Sequence, residues 1–460
     1  MKKKKNDFPC FIQYVFIYLR AEYWKVEIVL QKIKYNNNLK TSKNKMTEYI
    51  SPNQILNNLA NLPQLVFEVT DSCNLKCKYC AYGEFYDDFD KRENKMMQTS
   101  SAIRLIEYLN QYWSSERNTS AKSFIYISFY GGEPLLNFNF IHDIVYYIEN
   151  KLHCPRRKFL FSMTTNAILL HKYIDFLVAH DFHILVSLDG NKINDSYRVD
   201  HNGKSSFDRV TRNVDLLREK YPNFFDKNIN FNSVLHNRNS VEDIYSFFKT
   251  KYCKKPTISE LNNSGIKTDK KQEFNQTYRN SEESLHQAEH YEEIEKDLFI
   301  DSSSYKSLLL YLQQYSGFYY RDYTDLLCDR TQLKYIPTGT CLPFSKKMFV
   351  TVNGKILPCE RIGHQYGLGH LTTTGIELDV VEIARKYNQY YTKMENQCNY
   401  CKNKPSCIQC LFNIKDIEKR PICYGFMNET ILQQFKFKQY QFLREHPEAY
   451  RNIMEKLVII

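Results

Sequence analysis

From residue 65 to about 262, short apolar runs take turns with longer stretches of helical period. The runs LVFEVT (65–70), SFIYISFYGG (123–132), FLFSMTTN (159–166), HILVSLDG (183–190), INFNSVL (229–235) and TISELN (257–262) predict strands, being mostly rich in β-branched and aromatic residues. Between them, SAIRLIEYLNQYW (101–113), FIHDIVYYIEN (140–150), KYIDFLVAH (172–180) and FDRVTRNVDLLREK (207–220) predict helices. Strand and helix in alternation argue parallel βαβ units. Six units are too few for a closed eight-fold barrel, so residues 47–262 are expected to form an α/β fold, a partial (β/α)6 TIM-like barrel. Function in such folds gathers at the C-terminal ends of the strands. The polar tracts fall there: CNLKC after the first strand, GGEP after the second, TTN at the third and SLDG at the fourth.

The pattern changes after residue 262. Residues 263–327 are polar and charged, and predict an inserted helical stretch linking two halves. Residues 328–430 are rich in turns and cysteine, and 431–460 predict a closing helix. The net charge of +11 invites a nucleic-acid reading, but residues 1–46 hold eleven Lys/Arg against three Asp/Glu. The remainder is nearly balanced, so no nucleic-acid partner is expected. MKKKK before FPCFIQYVFIYL resembles the front of a secretory signal peptide, but Gln13 interrupts the run and no small-residue cleavage site follows. A basic extension ahead of a start at Met46, in a cytoplasmic protein, is the plainer expectation. No run of about 18 apolar residues predicts a membrane span.

Ten of the fourteen cysteines lie in two groups. Cys73, Cys77 and Cys80 form C-x3-C-x2-C directly after a strand, which places three thiolates round one small volume. Zinc would need a fourth ligand from elsewhere. A [4Fe–4S] cubane held by three cysteines keeps one iron open to a small molecule. The second group is Cys341, Cys359, Cys398, Cys401, Cys407, Cys410 and Cys423. Its C-x2-C-x5-C-x2-C block is far tighter than a zinc ribbon, though thiolates alone do not name the metal. Cys10, Cys154 and Cys253 stand alone and read as buried apolar thiols.

The first loop, with Tyr79 just before its last cysteine, resembles the signature of the radical S-adenosylmethionine (radical SAM) superfamily. The resemblance implies a [4Fe–4S] cluster on Cys73, Cys77 and Cys80 whose open iron chelates S-adenosylmethionine, and reductive cleavage of that cofactor to a 5′-deoxyadenosyl radical. Gly131, Gly132, Glu133 and Pro134 resemble the GGEP turn that holds the methionine amino group. Asn166, Ser187 and Arg198 resemble further cofactor contacts, with Ala167 where the family usually has glycine. Residues 328–430 are similar to the SPASM extension, which implies two auxiliary [4Fe–4S] clusters. Carried over, Cys341, Cys359 and Cys410 would hold one, with Cys328 a candidate further ligand. Cys398, Cys401, Cys407 and Cys423 would hold the other. SPASM enzymes act mostly on peptides or proteins, which implies such a substrate and an external one-electron donor. Maturation of a ribosomally made peptide is the leading expectation, and a sulfatase-maturating enzyme forming formylglycine the alternative. A metal-binding scaffold without catalysis is a reading of another class. Glu133, Asp189 and Asp195 are available as acids or bases, but no catalytic base is assigned.

Overall fold

A computed structural model describes residues 48–120, 124–298, 336–404 and 407–456, with Tyr305, Leu308, Leu309 and Leu312 between them. By internal contacts the chain divides after Glu48, and Tyr49–Ile460 form one unit. The basic extension 1–46 and Cys328 lie outside the described residues.

Six parallel strands follow one another in chain order: β1 (Gln64–Thr70), β2 (Phe124–Gly131), β3 (Lys158–Thr165), β4 (His183–Ser187), β5 (Ile229–Leu235) and β6 (Thr257–Glu260). Helices lie between them, as expected for βαβ crossovers. Each expected strand is present, with its ends moved by at most three residues. Six of the seven residues of β1 are buried, the mark of a parallel strand covered on both faces. Helix Thr99–Trp113 buries Ala102, Leu105, Ile106, Leu109 and Trp113, one stripe at three- and four-residue spacing. This is the partial TIM-like barrel the pattern predicts.

The cysteine-rich part extends the same sheet. Strand β7 (Met348–Val350) pairs parallel with β1, matching Leu65 to Met348. Strands β8 (Lys355–Leu357), β9 (Gly369–Leu371) and β10 (Ile376–Glu377) continue outward antiparallel, giving a ten-stranded sheet. One apolar core runs from Tyr49 to Ile417 across both parts. At the β7–β8 turn, Gly354 has φ +82°, and a Cβ there would meet the Leu371 carbonyl at 2.2 Å.

Three expectations change. The start of the 263–327 segment is more than a linker. Short helices at Lys271–Thr277, Ser281–His286 and Tyr291–Leu298 fold back on the β5–β6 edge, where Glu260 takes hydrogen bonds from the backbone and hydroxyl of Ser281. The closing helix is two, Glu429–Glu445 and Pro447–Lys456, because proline at 447 has no N–H to continue the first. Cys253 is exposed rather than buried, a left-handed C-cap with φ +55° after helix Val241–Tyr252, and Cys154 is half-buried.

Candidate functional site

The cysteine loop leaves β1 at its C-terminal end and is braced by its neighbours' backbones. Gly132 N–H donates to the Thr70 carbonyl at 2.8 Å, and Glu133 N–H to the Ser72 carbonyl at 2.9 Å. A Cβ on Gly131 would stand 2.3 Å from the Thr70 oxygen, and one on Gly132 2.0 Å from the Ser72 oxygen. The glycines are therefore needed first for close approach to the cysteine loop itself.

Cys73, Cys77 and Cys80 border one cavity of about 230 Å³. Its other walls include Gly131, Gly132, Asn166, Ser187 and Arg198. The structure thus brings six expected cofactor residues to one place, Tyr79 included. Glu133 and Pro134 do not line it. Glu133 is fully buried and accepts from Thr165 Oγ1 (2.7 Å), Asn166 N (2.7 Å) and Leu135 N (3.1 Å), bracketing the ends of β2 and β3. Burial raises its pKa against those donors.

Tyr79 is buried with its phenol bonded to Asp189 and accepting from Arg198 Nη1 at 3.0 Å. Its ring stacks on His236, 5.7 Å between centroids. Asp189 also accepts from Val234 N at 2.9 Å, and Asp195 from Asp189 N at 3.0 Å. Burial pushes the Asp195 carboxyl up, opposed by Arg198 beside it. Asp195 lies 3.7 Å from Arg198 Nε and Asp189 bonds the Tyr79 phenol, so both carboxylates have partners inside this buried cluster. The second candidate for cofactor contact, Asn166, donates to Asn74 Oδ1 at 2.7 Å. Ala167 has φ +59°, the conformation for which its place in the motif favours glycine.

The three-thiol loop fits a cluster. Burial raises the Cys73 thiol and pushes Cys77 up to about 12, so protonated thiols are costly to ionise here without a metal to replace the proton. Sulfur-directed donors are already in place: Leu75 N at 3.4 Å from Cys73 Sγ, and Arg92 Nη2 at 3.3 Å from Cys80 Sγ. Arg92 escaped the sequence reading because it lies in a polar loop without period or motif.

Cys398, Cys401, Cys407 and Cys423 line one further pocket, at the end of helix Val380–Tyr400 and the turns after it. Cys341 and Cys410 raise one another's neighbours, Tyr387 and Tyr391, behind the burial that dominates both. Cys359 follows β8 and faces Glu360, Lys347 and Arg361 after burial pushes it up to about 11. Among the described residues, no three donors converge closely enough for a single metal ion.

A second cavity, about 350 Å³, lies among the barrel strands. Gln64, Ser128, Ser162 and Asn230 give it a polar wall, and Lys347, Glu360 and Arg361 of the extension border it. Lys347 pairs with Glu360 at 3.0 Å.

The profile of the Radical SAM superfamily matches residues 67–250, the stretch that carries the three-thiol cavity. Residues 67–250 thus carry a radical SAM domain. It is 28% identical over 199 residues to a cysteine-type anaerobic sulfatase-maturating enzyme of Clostridium novyi (strain NT), covering 42% of this chain and 49% of that protein. It is also 28% identical over 174 residues to the radical SAM cyclopropyl synthase TigE of Paramaledivibacter caminithermalis, 36% of this chain and 34% of that one. The chain thus spans half or less of these relatives' length. The solved structure of native anSMEcpe with bound AdoMet shares the fold, with a TM-score of 0.54 at 19% identity over 84% of this chain and 98% of that one.

Proposed function

We propose that this radical SAM enzyme modifies a side chain or α-carbon of a ribosomally made peptide. The observation that supports this best is the three-thiol cavity with an open wall of glycine backbone, Asn166, Ser187 and Arg198. Cys73, Cys77 and Cys80 would hold a [4Fe–4S] cluster, which with S-adenosylmethionine supplies a carbon radical able to remove a hydrogen atom from the substrate. Arg198 is suited to grip a carboxylate, its position set by Tyr79 and Asp195. Asn166 and Ser187 offer neutral hydrogen bonds on the same wall. The polar barrel cavity, with charged Lys347, Glu360 and Arg361 at its border, suits a peptide segment better than a lipid or other apolar substrate. Cys398, Cys401, Cys407 and Cys423 would hold one auxiliary cluster. Cys341, Cys359 and Cys410 would hold another, and an external one-electron carrier would complete the redox path. Thioether formation or side-chain oxidation is the outcome proposed.

Sulfatase maturation is a second reading, favoured by the activities named for several relatives. The test is anaerobic turnover of the iron-loaded protein on two substrates, a cysteine-rich precursor peptide and a sulfatase peptide, followed by mass spectrometry. Cross-linked or oxidised precursor supports the first reading. Efficient formylglycine formation with an untouched precursor sinks it in favour of the second. Colourless protein with stoichiometric zinc and no S-adenosylmethionine cleavage would support the scaffold instead.

A further inference from the structure

We infer that Arg92 sets the reduction potential of the first cluster, a role that rests on Cys73, Cys77 and Cys80 holding one. Its Nη2 donates to Cys80 Sγ at 3.3 Å, and its guanidinium carbon stands 4.7 Å from the centre of the Tyr82 ring. The ring is backed in turn. The Tyr82 phenol lies beside the carboxylate of Glu68, a buried residue of β1 that accepts from Val352 N at 2.8 Å. The guanidinium is thus sandwiched between an aromatic face and a ligand sulfur.

Its backbone is held as firmly. Asp71, at the start of the cysteine loop, accepts from Glu93 N at 2.8 Å and Lys95 N at 2.7 Å. On the other side Asp90 pairs with Lys355 at 2.6 Å and accepts from Asn353 Nδ2 at 3.2 Å. Two elements therefore hold the short segment that carries Arg92, one in the barrel and one in the extension. Arg92 Nε is buried and has no partner among the described residues. The bond to sulfur and the Tyr82 face, rather than this unpaired donor, place the guanidinium.

The charge matters because of what reduction does. Each electron added to an iron–sulfur cluster adds negative charge, shared with its thiolate ligands. Hydrogen bonds to the sulfurs are among the groups that set the potential, and a charged donor acts more strongly than a neutral one. Leu75 N at Cys73 Sγ is neutral. Arg92 brings a full positive charge to hydrogen-bond distance in a half-buried site, where screening is weak. It stabilises the reduced state more than the oxidised one and so raises the potential. The π-face of Tyr82 keeps the guanidinium plane in place.

The test compares wild type with Arg92→Gln and Arg92→Lys, each loaded with iron and sulfide, by potentiometric titration followed by electron paramagnetic resonance. The first cluster's signal is the part that Cys77→Ala removes. With Arg92→Gln, the reduced-to-oxidised ratio at a given potential should fall about tenfold, a midpoint lower by about 59 mV for a one-electron couple. Arg92→Lys should recover part of the shift, and the other signals should not move. An unchanged midpoint at full iron content would overturn the inference. Loss of the first cluster in both variants would do so too, since Arg92 would then be scaffolding. If Cys77→Ala removes no signal from the wild-type spectrum, the cluster assignment itself fails, which is a separate result.

Discussion

A methyl group on Gly132 would stand 2.0 Å from the carbonyl oxygen of Ser72, a backbone atom one residue before Cys73. Gly132→Ala must therefore push the cysteine loop away from β2. The expected outcome is a folded protein whose iron content falls by about one cluster, with S-adenosylmethionine cleavage lost alongside it. Iron analysis with circular dichroism on the same sample checks both halves. Glu133→Gln tests the bracket next to it. The carboxylate takes three donors, so an amide NH2 in its place faces at least one donor with a donor. A loss of about 2–3 kcal/mol in denaturant unfolding is expected, and a variant as stable as wild type would show that the bracket carries little. The motif GGEP was legible as a site marker, but not this division of labour, because two glycines and an acid in a turn read alike whether they meet a ligand or another loop. Arg92 was illegible for a different reason. Its partner is a sulfur twelve positions back, reached through a loop with no period.

At the scale of elements, the six strands and the four helices named between them followed from apolar period, since each buries one stripe or two faces in a shared core; helix Val241–Tyr252, between β5 and β6, was not among those named. The 263–298 segment was legible only as helical, because its helices are short and mostly polar, each burying one or two apolar residues (Phe274, Leu285, Ile294, Leu298), with ion pairs added. Asp297, at the end of helix Tyr291–Leu298, is its anchor to helix Val241–Tyr252. Burial would raise its carboxyl, but ion pairs with Lys255 and Lys249 and a hydrogen bond from Tyr245 outweigh that and hold it well below the usual carboxylate range. A pKa lower in the folded than in the unfolded chain adds stability above the unfolded value, lost as pH falls through the folded one. Asp297→Asn should therefore cost about 1 kcal/mol at neutral pH, a figure kept small by partial solvent screening. The gap should narrow steadily below about pH 4. Melting curves of both proteins across acid pH check it, and a gap that widens toward acid would show that the ion pairs are not what holds the segment.

Across the whole molecule, β1 serves both halves: it carries the cysteine loop at its end and pairs with β7 along its edge. The sequence motifs separated two cysteine groups, but not their shared sheet, since β7 to β10 are two or three residues long and below the length at which alternation can be read. The four-thiol pocket lies elsewhere, on the last turn of helix Val380–Tyr400 and the turns beyond it. That helix reaches the core through Ile383, Ala384, Tyr387, Tyr391 and Met394; Tyr387 and Tyr391 lie near Cys341 and Cys410, and none of the five lines the four-thiol pocket. Removing thiols at its far end should leave those contacts intact. The double variant Cys398→Ala with Cys401→Ala is expected to lose about one cluster of iron, keep the melting transition of the barrel, and still cleave S-adenosylmethionine. Peptide product should nevertheless fall at least tenfold if this pocket serves the electron path, so that cleavage runs uncoupled from modification. Methionine and modified peptide measured in the same reaction separate the two. Product lost together with cleavage would mean that the halves are coupled through the sheet itself. Product fully retained would leave the four cysteines a purely structural part.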